Sequence, residues 1–396
     1  MKKLYILTSI YSTVNYSFEI DSIISDSKTN DVTVLMCDGC VGDCHANTLG
    51  LSLLCHECKK RTAKILERIP NITVLKMKDY YDKSIVHDKY SYSSLKELNK
   101  IMYRGFEIGY GVSSYYISLT RNLTPQIDNR LKRLLDSWLD SSMSYADVAD
   151  KVITNDFDLV YVVNGRYFDT KPFQEVAISK GIHLVLGESA VTIQGKHIRM
   201  NFDNIRVHSL SGNTNNILNF WDNSIVPLEE RRRIASSFYE KKIKAIRTND
   251  KVYTQNQKMG LLPDDWDSSK TNIVIFNSSE DEFAAIGGEW EKDNLFESQI
   301  AGIKYMLENT KDRSIHFYLR VHPNLKTIKY KYHTDLYKFA SEYNNITVIP
   351  GNSPISSYAL MGECDKVITF GSTMGVEAAY AGKPSMVLLP CLHYFL

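Results

Sequence analysis

The sequence has no long apolar run. No segment approaches the ~20 residues a helix needs to cross a bilayer, so no membrane span is expected in its 396 residues. It has almost no net charge: 47 Lys and Arg against 46 Asp and Glu leave +1. That balance removes any overall electrostatic case for a nucleic-acid partner. Internal repeats and low-complexity tracts are absent, which sets aside repeat architectures. A secretory leader is not expected either. The apolar run in Met1–Ser9 is short, broken by Thr8 and Ser9, and followed by no small-residue cleavage site. It reads better as the first buried strand of an α/β domain. Sequons such as Asn71–Thr73 then carry no meaning, and the expected location is the cytoplasm. There the seven cysteines are expected as thiols or metal ligands rather than disulfides.

What is present is ordinary soluble-protein material, 43% hydrophobic and 23% charged. The length suits two domains. Strands and helices alternate throughout. In the first half, strands are expected at Leu4–Thr8, Val32–Met36, Ile72–Leu75, Leu159–Val163 and His183–Leu186. Helices are expected at Ser93–Met102 and Ile127–Leu139. The latter recurs on one face through Ile127, Leu131, Leu134, Leu135, Trp138 and Leu139, with Pro125 as a start signal. A further helix is expected at Pro227–Arg247, opened by Pro227 with Glu229 and Glu230 in its first turn. Lys241, Lys242, Lys244 and Arg247 near its end complement the macrodipole. That basic cluster fits a solvated helix end, or peripheral contact with an anionic membrane surface. The domain joint is placed across this helix and the polar stretch Leu261–Lys270, giving domains 1–245 and 246–396. The default architecture is α/β, with two Rossmann-like domains and a cleft between them.

The richest stretch lies near the end. Lys366–Phe370 reads as a buried strand, Gly371-Ser372-Thr373 as a small-residue turn, Met374 onward as a short helix, and Gly382-Lys383-Pro384 as an exit to strand Ser385–Leu389. Such a turn aims backbone N–H groups and two hydroxyls at one spot, where the helix dipole adds partial positive charge. An anion, most simply a phosphate, is the natural occupant. Glu377, one turn further on, is placed to accept hydrogen bonds from sugar hydroxyls such as a ribose. Phosphate and ribose together mean a nucleotide.

A second signal lies upstream. Strand Ser314–Val321 ends in His322-Pro323-Asn324, and strand Asn272–Phe276 ends in Asn277-Ser278-Ser279. Helices at Tyr332–Tyr343 and Pro354–Met361 and a strand at Ile346–Ile349 complete an α/β order. Ligands of open α/β sheets bind outside the carboxyl ends of the strands, and right-handed crossovers put these loops on one edge. His322 is read as a donor to the phosphate or leaving group. Ser278 and Ser279 are read as phosphate or sugar contacts, or equally as helix-capping residues.

In the first domain, Asn164-Gly165-Arg166 and Glu188 follow two strands on the corresponding edge. Arg166 suits an anionic group, or an ion pair with Glu188. Glu188 suits a general base for a sugar hydroxyl, with Asp169 and His208 as lesser candidates. The glycine-spaced run Tyr103–Tyr115 does not follow a strand and so is no dinucleotide fingerprint. It reads as a close-approach helix or loop. Cys37, Cys40, Cys44, Cys55 and Cys58 crowd together with His45 and His56. Cys37, Cys44, Cys55 and Cys58 suit a structural zinc as well as they suit free thiols.

Taken together, these residues resemble GT-B glycosyltransferases of bacterial capsule and surface-polysaccharide synthesis. The resemblance rests on Cys37-x6-Cys44-x2-Asn47 with Cys55-x2-Cys58, on Asn164-Gly165-Arg166, on Ser278-Ser279-x-Asp281-Glu282, and on Gly371-Ser372-Thr373-x3-Glu377 with Gly382-x-Pro384. The His322-Pro323 and Ser372-Thr373 pair is also similar to the nucleotide-phosphate motifs of GT-B enzymes that use CMP-activated acidic sugars, and of polymerases that use CDP-glycerol. The resemblance implies a GT-B-like α/β fold. The N-terminal acceptor domain, 1–245, would carry a Cys-rich insertion (37–58), and 246–396 would hold the nucleotide-sugar donor. It implies catalysis without a metal cofactor and a glycan or lipid-linked glycan acceptor; Arg320 departs from the family pattern and is expected to add a cation near the donor phosphate. It also implies helices after the last strand that cross back onto the first domain, whereas the sequence stops at Cys391–Leu396.

Overall fold

Side chains of a strand buried on both faces alternate between two cores, and β1 (Lys2–Leu7) shows this directly. Leu4 and Ile6 enter one hydrophobic cluster, while Tyr5 and Leu7 enter another on the opposite face. The computed structural model describes residues 1–10, 13–191, 196–244, 246, 253–292, 294–391 and 393. They form two units. The first comprises Met1–Val191 and Gly195–His208, with Ala284–Ile286; the second comprises Ser209–Phe283 and Gly287–Leu396.

In the first unit, β1 is joined by β2 (Asp31–Met36), β3 (Ile72–Lys76), β4 (Leu159–Val163), β5 (His183–Val191) and β6 (His197–Asp203). Their order is β3-β2-β1-β4-β5-β6. All pairs are parallel except β5 with β6, which run antiparallel. The chain reverses its direction of travel across the sheet between β1 and β4, the topological switch point where ligands of such sheets collect.

The second unit carries β7 (Thr271–Phe276), β8 (Ile315–Arg320), β9 (Ile346–Ile349), β10 (Lys366–Thr369) and β11 (Ser385–Val387). Their order is β11-β10-β7-β8-β9, parallel throughout. Ile273 and Ile275 pack on one face, Val274 and Phe276 on the other. The switch point here lies between β7 and β10. Both units are therefore Rossmann-like, as the strand–helix alternation implies.

Four expectations change. The division falls at 208/209 rather than 245/246. The cause lies in helix Leu228–Ile243, whose Lys242 Nζ lies 3.1 Å from Glu377 Oε1 and whose Tyr239 stacks on Tyr380 at 4.1 Å. Arg247, the expected end of that helix, is outside the described residues. The helix expected at Ser93–Met102 contracts to Leu95–Leu98, and Tyr332–Tyr343 breaks into the short turns Lys331–Thr334, Asp335–Lys338 and Phe339–Glu342. The helix opening near Ile127 is capped one residue later, at Asp128, whose carboxylate accepts from the amides of Arg130 (3.0 Å) and Leu131 (2.8 Å), and it runs on to Val152.

The glycine run forms helix Ile108–Thr120. A Cβ at Gly109 would lie 1.9 Å from the Leu98 carbonyl, and one at Gly111 would lie 3.1 Å from Phe168 Cα. Close backbone approach is thus what these glycines supply. Among the described residues no helix is long and apolar enough to cross a membrane.

Candidate functional site

In the second unit the loops after β8, β7 and β10 leave adjacent parallel strands at one edge. The β7 loop ties its two neighbours together. Asn277 Oδ1 accepts the His322 backbone N–H at 2.8 Å, and the Ser278 hydroxyl donates to the Phe370 carbonyl. Ser278 is in turn held by Gln299, which accepts its amide at 2.8 Å. His322 and Gly371-Ser372-Thr373, some fifty residues apart in sequence, therefore flank one loop at the switch point.

The turn after β10 has the geometry an anion needs. Gly371 adopts φ +77°, a conformation only glycine takes without strain. Ser372 is buried, and its Oγ accepts the Met374 amide at 3.3 Å. Among the described residues the amides of Gly371, Ser372 and Thr373 have no hydrogen-bond acceptor. Three successive N–H groups of this kind form an anion-binding concavity. The His322 ring accepts the Asn324 amide at Nδ1, 3.2 Å away. A neutral ring that accepts at Nδ1 carries its proton on Nε2. Tyr253 packs edge-on against this ring at 5.1 Å, and Pro323 opens the short turn that follows.

Three residues expected at the donor site have structural partners. Arg320 is buried, and its guanidinium donates to the Pro350 carbonyl, to the Ser353 carbonyl at 3.2 Å and to Ser357 Oγ at 3.4 Å. It pins the loop after β9 rather than reaching the turn after β10. Burial lowers its pKa to about 10. Ser279 donates to Asp281 Oδ1 at 2.6 Å within its own turn. Glu377 is buried and accepts from Lys242 Nζ at 3.1 Å and from the Tyr358 hydroxyl at 2.7 Å, with Thr373 Oγ1 at 3.5 Å. Lys242 thereby leaves the solvated end expected of its helix.

In the first unit the β4 loop is strained where it turns. Asn164 has φ 63° and Gly165 φ 69°. A side chain at Gly165 would meet Gln174 Oε1 at 2.6 Å. Asn164 donates through its amide to Glu188, and its Oδ1 accepts the Arg166 amide at 2.9 Å. Glu188 lies inside β5 rather than after it. Burial raises its carboxyl above the usual range, against the Asn164 hydrogen bond and the charge of Arg166. Arg166 forms no ion pair with Glu188 among the described residues; its guanidinium is buried and donates to Ser114. His208 is pushed down to about 4 by burial and by Arg166, so its ring is neutral.

Cys37, Cys44, Cys55 and Cys58 do line one small cavity, of about 20 Å³, at the carboxyl ends of β1 and β2. Among the described residues, however, no three His, Cys, Asp or Glu side chains are placed to hold a metal ion. The loop itself serves two of these thiols. Cys37 Sγ accepts from the Gly39 amide at 3.5 Å, and Cys55 Sγ accepts from Asn47 at 3.1 Å while facing the Gly42 carbonyl at 3.8 Å. Burial keeps Cys37 and Cys44 protonated. The expected zinc quartet is therefore not assembled.

One pair escaped the sequence. His45 Nδ1 lies 2.7 Å from Asp169 Oδ2, 124 residues away. Burial pulls the ring's pKa down, but the charge and hydrogen bond of Asp169 outweigh it, so the net shift is upward. The loop carrying His45 also borders a cleft of about 650 Å³, lined in part by Asp43, Tyr116, Asn122, Gln126, Arg130 and Ser137. Leu49, Pro125, Leu131 and Leu134 give the rest of its lining an apolar character.

No protein-family model and no curated protein matches the sequence. Among solved structures, KpsC from Thermosulfurimonas dismutans, a beta Kdo 2,4 transferase, aligns over 61% of this chain and 71% of its own, at 13% identity and TM-score 0.37. The UDP-GlcNAc 2-epimerase of Neisseria meningitidis aligns over 98% of this chain and 82% of its own, at 12% identity and TM-score 0.25. The calicheamicin glycosyltransferase CalG4 aligns over 97% and 78%, at 10% identity and TM-score 0.23. With TM-scores this low, these likenesses do not bear on the chain's activity.

Proposed function

We propose that this protein is a glycosyltransferase that moves a sugar from a nucleotide-activated donor to a glycan acceptor, in the synthesis of a surface polysaccharide. One observation carries the reading. The three amides of Gly371, Ser372 and Thr373 sit at the switch point of the second sheet, beside a histidine whose Nε2 is a donor. In this reading the donor's phosphate occupies the turn. As the bond from the sugar's anomeric carbon to the phosphate oxygen breaks, negative charge grows on that oxygen. The amides, the Ser372 hydroxyl and His322 stabilise it without reorganising, which is commonly the largest catalytic contribution. Ser278 holds the turn in place through the Phe370 carbonyl. In this reading the acceptor belongs to the first unit and its mixed polar and apolar cleft.

The test is release of nucleotide from CMP-, CDP-, UDP- and GDP-activated donors, with and without p-nitrophenyl glycosides as acceptors. Acceptor-stimulated release that falls at least tenfold in His322→Ala supports the reading. Release that ignores the acceptor marks a hydrolase or epimerase instead. Unchanged release in His322→Ala removes the phosphate role from the β8 loop.

A further inference from the structure

The cysteine-rich segment turns its thiols inward and its leucines outward. Along helix Ser52–Leu66, Cys55, Thr62 and Leu66 share one row; Thr62 and Leu66 are buried, and Cys55 lines the small thiol cavity. The opposite row carries Leu53, Lys60 and Lys64, all exposed. With the turn that precedes the helix, this makes an apolar patch: Leu49 is 68%, Leu51 51%, Leu53 72% and Leu54 38% exposed. Single exposed leucines are ordinary, whereas four within six consecutive residues mark a contact surface.

Fold stability does not account for these leucines. Leu51 stands at the helix N-cap, a position that favours Ser, Thr, Asp or Asn, and its side chain caps nothing. The backbone beneath them is nonetheless firmly held. The Asn47 side chain accepts the Leu51 amide and donates to the Leu51 carbonyl, each at 3.0 Å. The Trp138 indole N–H donates to the Thr48 carbonyl at 2.9 Å, and the Tyr145 hydroxyl to the Asp43 carbonyl at 3.0 Å. The leucines are thus displayed on a fixed frame, so little ordering cost remains to be met on binding.

The charge around the patch selects its partner. Lys59, Lys60, Arg61 and Lys64 are exposed along the helix, and the exposed Arg130 and Arg133 line the same cleft as Leu49. The acids beside them are few: Glu57 is half-buried, Asp43 is buried, and the Asp128 carboxylate already accepts two helix amides. A second copy meeting this patch about a two-fold axis would set like charges against each other. The exposed hairpin that carries Phe220 and Ile225 lacks this bias, because Glu229 and Glu230 pair with Arg232 and Arg233 of the same helix. We propose that Leu49–Leu54 and the neighbouring cations form a docking surface for a bilayer containing anionic phospholipid. The leucines enter the boundary between headgroups and acyl chains, about 5–10 Å deep, while Lys60, Lys64, Arg130 and Arg133 meet the phosphates. The surface lies wholly within the first unit and does not depend on the transferase reading. It also moves the expected membrane contact away from Lys241–Arg247, where Lys242 is engaged by Glu377.

The experiment is flotation of the whole protein with two kinds of vesicle, phosphatidylcholine alone and phosphatidylcholine mixed in equal parts with phosphatidylglycerol. Wild type is compared with Leu51→Ser/Leu53→Ser, with Lys60→Glu/Lys64→Glu, and with Phe220→Ser/Ile225→Ser as a control on the other exposed apolar surface. All six side chains are exposed, so the core is untouched, and circular dichroism checks the fold. Wild type is expected to partition about tenfold or more in favour of the mixed vesicles, and the preference should shrink as salt is raised. The leucine variant should lose about tenfold or more of that binding, the lysine variant should lose the preference for phosphatidylglycerol, and the control should bind as wild type does. Absence of vesicle binding, equal binding to both lipids, or the same loss in the control as in the leucine variant overturns the proposal. Sedimentation velocity without lipid covers the remaining occupant: a dimer that Leu51→Ser/Leu53→Ser dissociates would give the patch to a second copy instead of a bilayer.

Discussion

Replacing Glu377 by Gln separates two roles for one side chain. Sequence alone points Glu377 at a nucleoside, yet its carboxylate is 4% exposed and holds Lys242, itself 11% exposed. Gln keeps the shape and an acceptor for the Tyr358 hydroxyl, but it removes the Glu377 charge from beside a nearly buried ammonium. Breaking a buried pair on one side costs about 3–5 kcal/mol. Two features soften that. Lys242 lies 5.0 Å from the Phe238 ring centre, which retains roughly 0.5–1 kcal/mol, and its remaining exposure lets the stem swing toward water. The expected loss is therefore about 2–3 kcal/mol. At a urea m-value of about 2 kcal/mol/M, the midpoint falls by roughly 1 M. A double-mutant cycle with Lys242→Met isolates the pair, with an expected coupling of about 2 kcal/mol. Additive effects of the two substitutions would refute the buried-pair argument. An unchanged midpoint with lost nucleotide binding would return Glu377 to the ligand.

Three further outcomes follow from the same structure. Arg320→Met strips donors from the Pro350 and Ser353 carbonyls and should cost roughly 2–4 kcal/mol in urea unfolding; lost nucleotide affinity without lost stability would contradict its structural role. Glu175 is about a tenth exposed. Burial raises its carboxyl, but Lys171 and Arg206 outweigh this and hold it down at about 2. Because the folded value lies below the unfolded ~4.3, the stabilisation is fully present above pH ~4.3 and is lost as pH falls toward about 2. It is worth roughly 3 kcal/mol at neutral pH. Glu175→Gln should lower Tm at pH 7 and flatten the acid limb of Tm against pH, and an acid limb as steep as wild type would contradict the pairing. Gly371→Ala forces a Cβ into φ +77°; it should cost about 1–2 kcal/mol and weaken nucleotide binding, and a fully stable variant that binds normally would contradict the strained turn.

The sheets were legible because parallel strands buried on both faces read as plain apolar runs, as in Leu159–Val163 and Thr271–Phe276. β6 was missed although His197–Asp203 alternates Ile198, Met200 and Phe202 with polar residues; it is a largely exposed antiparallel edge beside an otherwise parallel sheet. The long helix Asn129–Val152 was half legible. Its first turns alternate Leu and charge, while Ser141–Ala149 is buried through small residues that carry no amphipathic signal. The tight turn after β10 was legible from local chemistry, since Gly371 with its positive φ and the two hydroxyls lie within a few residues. Arg320 and Glu377 were misread for the converse reason. Their partners, Ser353 and Lys242, are set by packing between distant segments. His45 and Asp169 meet only because β2 and β4 flank β1, which no local pattern reveals.

The most direct measurement is calorimetric titration of the whole protein with CMP, CDP, UDP and GDP, on wild type and on His322→Ala. The expected result is selective binding of one nucleotide by wild type, weakened at least tenfold in the variant, because the proposed function puts the phosphate between His322 and the Gly371–Thr373 amides. Binding of none of the four would contradict a nucleotide site at the second sheet's switch point, and equal binding by both proteins would place the phosphate elsewhere.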